Sequence, residues 1–285
     1  MKQIFVSTAT LPMAVGKAFY DYEGIFEAFD KLDVEGVELV FLPEWDHRRP
    51  PVTPTSADWG VTPKVRPSEI ADLCISRGLS VPLVHVNRDV GTMLSSAGEK
   101  DLLRGQEMLS ENLAAASALG SKLAVLHLWD TYGETVDIQT LFGRVHEVSS
   151  SYQARLAIEN IPISDTNLTI PEAWKQLEET MPPEYGFTLD LNWCSLYDNF
   201  GELSAHLDRV LNVHVQGAVS RAGDGTVSMV PRVGKLDILG SLARLCGMGY
   251  DGPIVLELNR PKGMGDFEAA LCMIAASVGR AATRG

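Results

Sequence analysis

No stretch of about 18 apolar residues occurs in the chain, so no membrane-spanning helix is expected. Basic residues are scarce: 24 Lys and Arg stand against 37 Asp and Glu, a formal charge of −13, with no basic run anywhere. Such a chain repels nucleic acid and anionic membrane surfaces at long range, and both are set aside as partners. Cysteine is equally sparse. Cys74, Cys194, Cys246 and Cys272 are far apart and form no C-x-x-C pair, so they read as reduced, partly buried thiols of a cytoplasmic protein. Glycine is missing from Thr8 to Pro12, after the first apolar run, where a dinucleotide-binding sheet carries its glycine-rich turn. Gly247-Met248-Gly249-Tyr250-Asp251-Gly252 has that spacing, but it follows a helical pattern and precedes a strand, the reverse of the required context.

What is present is alternation. Ile4 to Thr8 reads as a first strand rather than a leader, because Ser7, Thr8, Thr10 and Pro12 break the apolar run. Ile25, Phe26, Phe29 and Leu32 then repeat with helical spacing, and Gly36 to Val40 is a second strand bearing Glu38. Phe41 to Pro67 is too rich in proline for a regular element and carries Trp45 and Trp59. A helix from Ser68 to Arg77, stopped by Gly78, leads to a third strand, Val81 to Val86, with His85. A helix from Lys100 to Leu119 leads to a fourth strand that enters His127. Four more helix–strand units follow, with helical patterns over 137–152, 168–179, 202–207 and 237–248, and 266–280 closes the chain. Eight strands separated by helices, without a break in composition over residues 1–285, predict one α/β domain: a closed (β/α)8 TIM barrel.

Four of these strands end on a residue able to bind a metal. Glu159 closes Arg155-Leu156-Ala157-Ile158, Asp190 closes Phe187-Thr188-Leu189, His214 closes Leu211-Asn212-Val213, and Glu257 closes Ile254-Val255-Leu256. Catalytic groups of a TIM barrel sit at the C-terminal strand ends, and neighbouring strands lie about 4.8 Å apart, so the four can converge. Two carboxylates about 5 Å apart repel by roughly 3 kcal/mol at an effective dielectric of about 20. A divalent cation reverses that sign. Three carboxylates and one imidazole form an oxygen-rich set that suits Mn²⁺, Mg²⁺ or Co²⁺, and also admits Zn²⁺.

These residues resemble the xylose isomerase-like TIM barrels, a superfamily of sugar isomerases and epimerases, inosose dehydratases, hydroxypyruvate isomerases and endonuclease IV-type repair enzymes. The resemblance rests on Gly249-Tyr250-Asp251-Gly252-Pro253-Ile254 leading to Glu257, Ala118-Leu119-Gly120-Ser121-Lys122 leading to His127, and Ala157-Ile158-Glu159-Asn160. It implies one divalent cation on Glu159, Asp190, His214 and Glu257, with Glu159 and Glu257 also serving as acid/base groups. It further implies substrate contacts at His85 and His127. Glu38 on the second strand is open between substrate hydroxyls and a structural ion pair, and Arg221 after the seventh is a weaker candidate for a substrate anion, an exposed surface arginine being the commoner role. Arg260, after the eighth strand, is a further arginine of that kind.

Two departures narrow the reaction. The family's Asp-x-x-His after the sixth strand is Asp190-Leu191-Asn192-Trp193 here, so an indole stands where an imidazole is usual, and Trp193 is open between shaping the pocket for a less polar substrate portion and packing beneath the loop with Leu196 and Tyr197. The endonuclease branch's Asp-x-His-x-Pro is replaced by Val227-Ser228-Met229-Val230-Pro231. Both losses disfavour a three-zinc DNA phosphodiesterase. The expected activity is isomerisation or epimerisation of a small sugar or related polyhydroxy carbonyl compound, by proton transfer through a cation-stabilised enediolate. An inosose-type dehydratase on the same site and a non-catalytic sugar-binding barrel are the alternatives. A homo-oligomer is compatible with the sequence. Trp129 is open between an apolar wall and packing, and Arg221 to Arg232, with Gly223 and Gly225, between a loop over the site and a tight turn.

Overall fold

A computed structural model describes residues 3–10, 21–30, 32, 34–41, 65–129, 131, 137–163, 168–259 and 265–284. Trp45, Trp59 and Arg260, singled out above, lie outside the described residues. The strands are β1 (Ile4–Ser7), β2 (Gly36–Val40), β3 (Leu83–His85), β4 (Leu123–Leu126), β5 (Arg155–Glu159), β6 (Gly186–Asp190), β7 (Val210–Arg221), β8 (Val227–Val230) and β9 (Ile254–Asn259). Each of the first six pairs in parallel with the next, and β9 pairs in parallel with both β7 and β1, which closes an eight-stranded barrel. The fold is the (β/α)8 TIM barrel that the alternation of elements predicts, with β9 as its eighth strand.

Around the barrel run α1 (Tyr22–Phe29), α2 (Pro67–Arg77), α3 (Asp89–Leu94), α4 (Glu99–Leu119), α5 (Ile138–Ser149), α6 (Ile170–Glu178), α7 (Leu191–Tyr197), α8 (Phe200–Leu203), α9 (Ile238–Gly247) and α10 (Phe267–Arg284). Gly78 and Gly120 end α2 and α4 in the left-handed conformation, at φ 66° and 71°, where a side chain would be strained. Thr169 caps α6 by accepting from the Glu172 N–H, and Glu172 reaches back to the Thr169 N–H, a reciprocal cap.

Strand alternation explains where the site sits. Val6, Val84, Ala124, Leu156 and Leu256 face out into the apolar layer beneath the helices. Phe5, Leu83, Leu123, Ala157 and Val255 form a separate cluster, the plug inside the barrel. The inward residue two positions further along is His85 after Leu83, Glu159 after Ala157 and Glu257 after Val255. These three residues therefore stand directly on the plug, at the C-terminal end.

Three features differ from the sequence expectation. The third strand is only Leu83–His85, because Val81 and Pro82 still belong to the approach from α2. Two short helices, α3 and α7, follow β3 and β6 in stretches too brief for periodicity to declare them. The 221–232 stretch is largely a hairpin: β8 runs antiparallel to the far end of β7, with Arg221 opposite Val227, and Gly225 makes the turn at φ 86°. Of the two readings above, this is the tight turn.

Helix α3 lies against the end of β4. A Cβ on Gly91 would come within 2.1 Å of the His127 carbonyl oxygen, so only glycine allows this approach. Gly91→Ala is expected to push α3 outward and cost about 1–3 kcal/mol in urea unfolding; an unchanged midpoint would show that α3 shifts freely.

Candidate metal centre

Each strand end delivers its side chain for a local reason. Asp190 ends β6 and caps α7 at once: its Oδ1 accepts from the backbone N–H groups of Asn192 (2.6 Å) and Trp193 (3.2 Å). That leaves Oδ2 buried, with no hydrogen-bond partner among the described residues. Asn160, next to Glu159, donates from Nδ2 to the Asp190 carbonyl (3.1 Å) and accepts the Asp190 N–H at Oδ1 (2.6 Å), which locks the ends of β5 and β6 together.

His214 is the hub. Its Nε2 lies 2.9 Å from Oε2 of Glu38, and both side chains are fully buried, at 0% exposure. A carboxylate accepts, so Nε2 carries the proton and Nδ1 is turned the other way. Nδ1 faces Oε1 of Glu159 at 3.6 Å and Oε2 of Glu257 at 3.9 Å, and makes no hydrogen bond. Ligand atoms of Glu159, Asp190 and His214 lie within 4.8 Å of one another, as do those of Glu38, His214 and Glu257. His214 belongs to both groups, so all four ligands expected from the sequence are gathered around it.

Glu159 meets two more imidazoles. His85 Nε2 is 3.2 Å and His127 Nε2 is 3.0 Å from its Oε2, and the two rings pack edge to face with centroids 4.8 Å apart. His85 Nδ1 is 2.9 Å from the Val86 carbonyl, an atom that only accepts, so the ring must donate there. His85, His127 and Glu159 form a third group with ligand atoms within 4.8 Å of one another.

The charge balance is uneven. Burial works against ionisation of Glu159, but His127 and His214 outweigh it and hold the carboxyl well below its usual range. Asp190 goes the other way: burial, reinforced by the Glu159 charge, pushes it well above the usual value. Glu257 is also raised, by burial ahead of the opposing pull of His214. Burial would lower His214, yet Glu38, Glu257 and Glu159 raise it well above an ordinary histidine. Burial likewise opposes the charge on His85, and the Glu159 hydrogen bond with the nearby carboxylates carries it up to about 9. His127 is lowered, by burial first.

A divalent cation fits this donor set. Oδ2 of Asp190 and Nδ1 of His214 are buried polar atoms without hydrogen-bond partners among the described residues, which ordinarily carries a penalty, and both residues belong to the Glu159 group. The residues that would hold the ion are Glu159, Asp190, His214 and Glu257.

The remaining candidates are placed differently. Glu38, expected at substrate hydroxyls, is wholly buried behind His214, where it orients the imidazole. Arg221 is seven residues past His214 on β7, about 23 Å along an extended strand, and pairs with Asp266 at the surface; the structure does not bring it to the four. Trp193 is partly buried on α7 and packs against the main core. Trp129 is buried and donates from Nε1 to the Pro162 carbonyl (3.0 Å), so it fastens the segment after β4 to the segment after β5. Sequence reasoning missed Gln216, whose Nε2 donates to Oε2 of Glu257 at 2.9 Å. Its place two residues after His214, on the same face of β7, was the available signal. Among the described residues, no helix is long and apolar enough to cross a membrane.

Residues 26–275 match the family model described as xylose isomerase-like TIM barrel. No curated protein matches the chain by sequence. Among solved structures, the D-allulose 3-epimerase from Methylomonas sp. in complex with D-allulose superposes with a TM-score of 0.64 at 15% identity, covering 99% of this chain and 94% of that one. An L-ribulose 3-epimerase gives 0.67 at 15% identity over 100% and 97% of the two chains. The IolI protein with a bound zinc atom gives 0.65 at 14% identity over 98% and 99%. At these identities the structures speak for the fold, and the family match covers most of the sequence: the chain belongs to the xylose isomerase-like TIM barrel family.

Proposed function

We propose that the protein is a divalent-metal-dependent isomerase or epimerase of a small sugar or related polyhydroxy carbonyl compound. The observation that carries this reading is the pair Glu159 and Glu257, both directed at Nδ1 of His214 beside the unpartnered Oδ2 of Asp190. A divalent cation, when bound, polarises a substrate carbonyl and stabilises the negative charge that develops on it. Glu159 is held ready as a base, with its Oε2 fixed by His85 and His127. Glu257, which faces the same Nδ1 of His214, returns the proton. Glu257 is 15% exposed and His127 23%, against 2% or less for Glu159 and His214, so substrate enters past those two side chains. The superposition on two sugar 3-epimerases supports the same reaction class.

The test is isotopic. In D₂O with added Mn²⁺, Co²⁺, Mg²⁺ or Zn²⁺, the protein is expected to introduce deuterium next to the carbonyl of a substrate from a panel of ketoses, inososes and short hydroxy-carbonyl acids. A sugar that binds tightly yet shows neither exchange nor turnover with any metal would establish a binding module instead. Loss of water after exchange would establish the dehydratase. Protein purified without chelator is expected to carry about one divalent ion per chain, and saturating Mn²⁺ at ~100 times its Kd should add about 2.7 kcal/mol of stability.

One observation favours a second stoichiometry. His85 donates from Nδ1 to a backbone carbonyl, the usual posture of a metal-binding histidine, and its Nε2 joins His127 and Glu159 in a separate group. Two ions per chain in elemental analysis would establish a binuclear centre sharing Glu159.

A further inference from the structure

A hydrogen-bond chain runs outward from Glu257. Gln216 Nε2 donates to Glu257 Oε2 (2.9 Å), Asn192 Nδ2 donates to Gln216 Oε1 (2.9 Å), and the backbone N–H of Arg232 donates to Asn192 Oδ1 (2.8 Å). Either amide taken alone could be turned end for end. The backbone removes that freedom, because the Arg232 N–H can only donate. Asn192 must therefore present its oxygen to Arg232 and its NH₂ to Gln216, and Gln216 must present its oxygen to Asn192 and its NH₂ to Glu257. The chain has one direction, and it ends by requiring a lone pair on Glu257.

Its far end is anchored. Asn192 is buried in the first turn of α7, and its own N–H is held by Asp190 Oδ1 at 2.6 Å. The segment that donates the Arg232 N–H is pinned to the same helix: Leu236 N–H donates to Ser195 Oγ (3.0 Å), and Gly234, at φ 76°, passes so close that a Cβ would lie 1.9 Å from the Ser195 carbonyl oxygen. This segment directly follows the β7–β8 hairpin.

We propose that Asn192 and Gln216 are positioning residues that hold one oxygen of Glu257 as an acceptor and tie Asp190 and Glu257 to the segment after the hairpin. The proposal rests on the reading of Asp190 and Glu257 as cation ligands given above. Asn192→Asp tests it from a distance. The aspartate still accepts the Arg232 N–H, but it turns an acceptor towards Gln216, which must flip and present its oxygen to Glu257, two acceptors face to face. A mutation two residues removed along the chain then acts at Glu257 as strongly as removing Gln216 itself.

In a Mn²⁺ titration of the full chain, Gln216→Leu and Asn192→Asp are each expected to weaken binding by about 10- to 100-fold, the range for partners of metal ligands. The double variant should bind no more weakly than the weaker single one. Additive losses, or unchanged affinity in Asn192→Asp, would overturn the proposal. If Gln216→Leu does not fold, the nearly isosteric Asn192→Asp decides alone. If the wild type binds no Mn²⁺, Co²⁺ or Zn²⁺, the metal reading fails, and the chain is then judged in metal-free protein by NMR. The Gln216 side-chain NH₂ protons should exchange slowly in the wild type and shift or exchange faster in Asn192→Asp. Exchange at the rate of a free amide in the wild type would refute the chain.

Discussion

Turnover is expected to fall by on the order of 10²–10⁴-fold when either Glu159 or Glu257 is replaced by glutamine, the range for loss of a positioned acid/base group. In free energy this is about 2.7–5.4 kcal/mol of barrier. Glutamine keeps the shape and one carbonyl oxygen but loses the base. The two variants should nevertheless differ. Oε2 of Glu159 takes two imidazoles, so the amide oxygen of Glu159→Gln turns to His85 and His127 and its NH₂ points at His214, where a ligand oxygen is wanted. Cation affinity is expected to drop along with turnover. In Glu257→Gln the amide oxygen takes the Gln216 donor, and Asp190, His214 and Glu159 still surround the ion, so affinity should suffer less. Sugar affinity, read as KM or by direct binding, is expected to change less than kcat in both. Full deuterium exchange by either variant with its metal in place would remove that glutamate from the proton transfer.

Glu38→Ala is expected to be the most damaging change outside the reacting groups. Glu38 and His214 are both at 0% exposure, and truncating one partner of a buried ion pair typically costs about 3–5 kcal/mol because the other is left uncompensated. The folded fraction should also bind Mn²⁺ about 10- to 100-fold more weakly, since nothing then selects the tautomer that leaves Nδ1 free. Glu38→Gln keeps an acceptor oxygen for Nε2 and should fall between the two. Urea unfolding combined with Mn²⁺ titration reads both effects. Weakened sugar binding with intact metal affinity would instead restore the substrate contact expected from the sequence.

The contrast between Glu38 and its neighbours shows how far the sequence reaches. Glu159, Asp190, His214 and Glu257 could be picked out because each ends a short apolar run, and for Glu159 and Glu257 strand alternation puts the residue two past a plug residue on the inner face. That rule is local and needs only neighbours in the chain. The same alternation puts His85 two past Leu83; His127 stands just past the end of β4, and both meet Glu159. For Glu38 it assigned the face and left the partner open between a substrate hydroxyl and an ion pair. Glu38 and His214 are 176 residues apart, and their contact exists only once β2 and β7 are held in one closed barrel.

Arg221 shows the limit from the other side. An arginine after a barrel strand reads either as an anion contact or, more commonly, as a surface residue, and the structure decides for the surface: β7 continues for seven residues beyond His214 into a hairpin and carries the guanidinium to Asp266. Strand length is set here by pairing with β8, a return strand of only Val227–Val230. So short a run has no readable period.

By itself, then, the sequence determined the barrel, the inward face of each strand and the residues offered at the strand ends, because apolar alternation and helix stops act between neighbours. Only the tertiary structure decided how those residues divide their bonds. Asp190 splits its two oxygens between the cap of α7 and the site, His214 gives Nε2 to Glu38 and so turns Nδ1 to the glutamates, and Asn192 and Gln216 take their orientation from a backbone N–H at Arg232. Each of these is a choice between two orientations of one side chain, and it is settled by what barrel closure sets beside it.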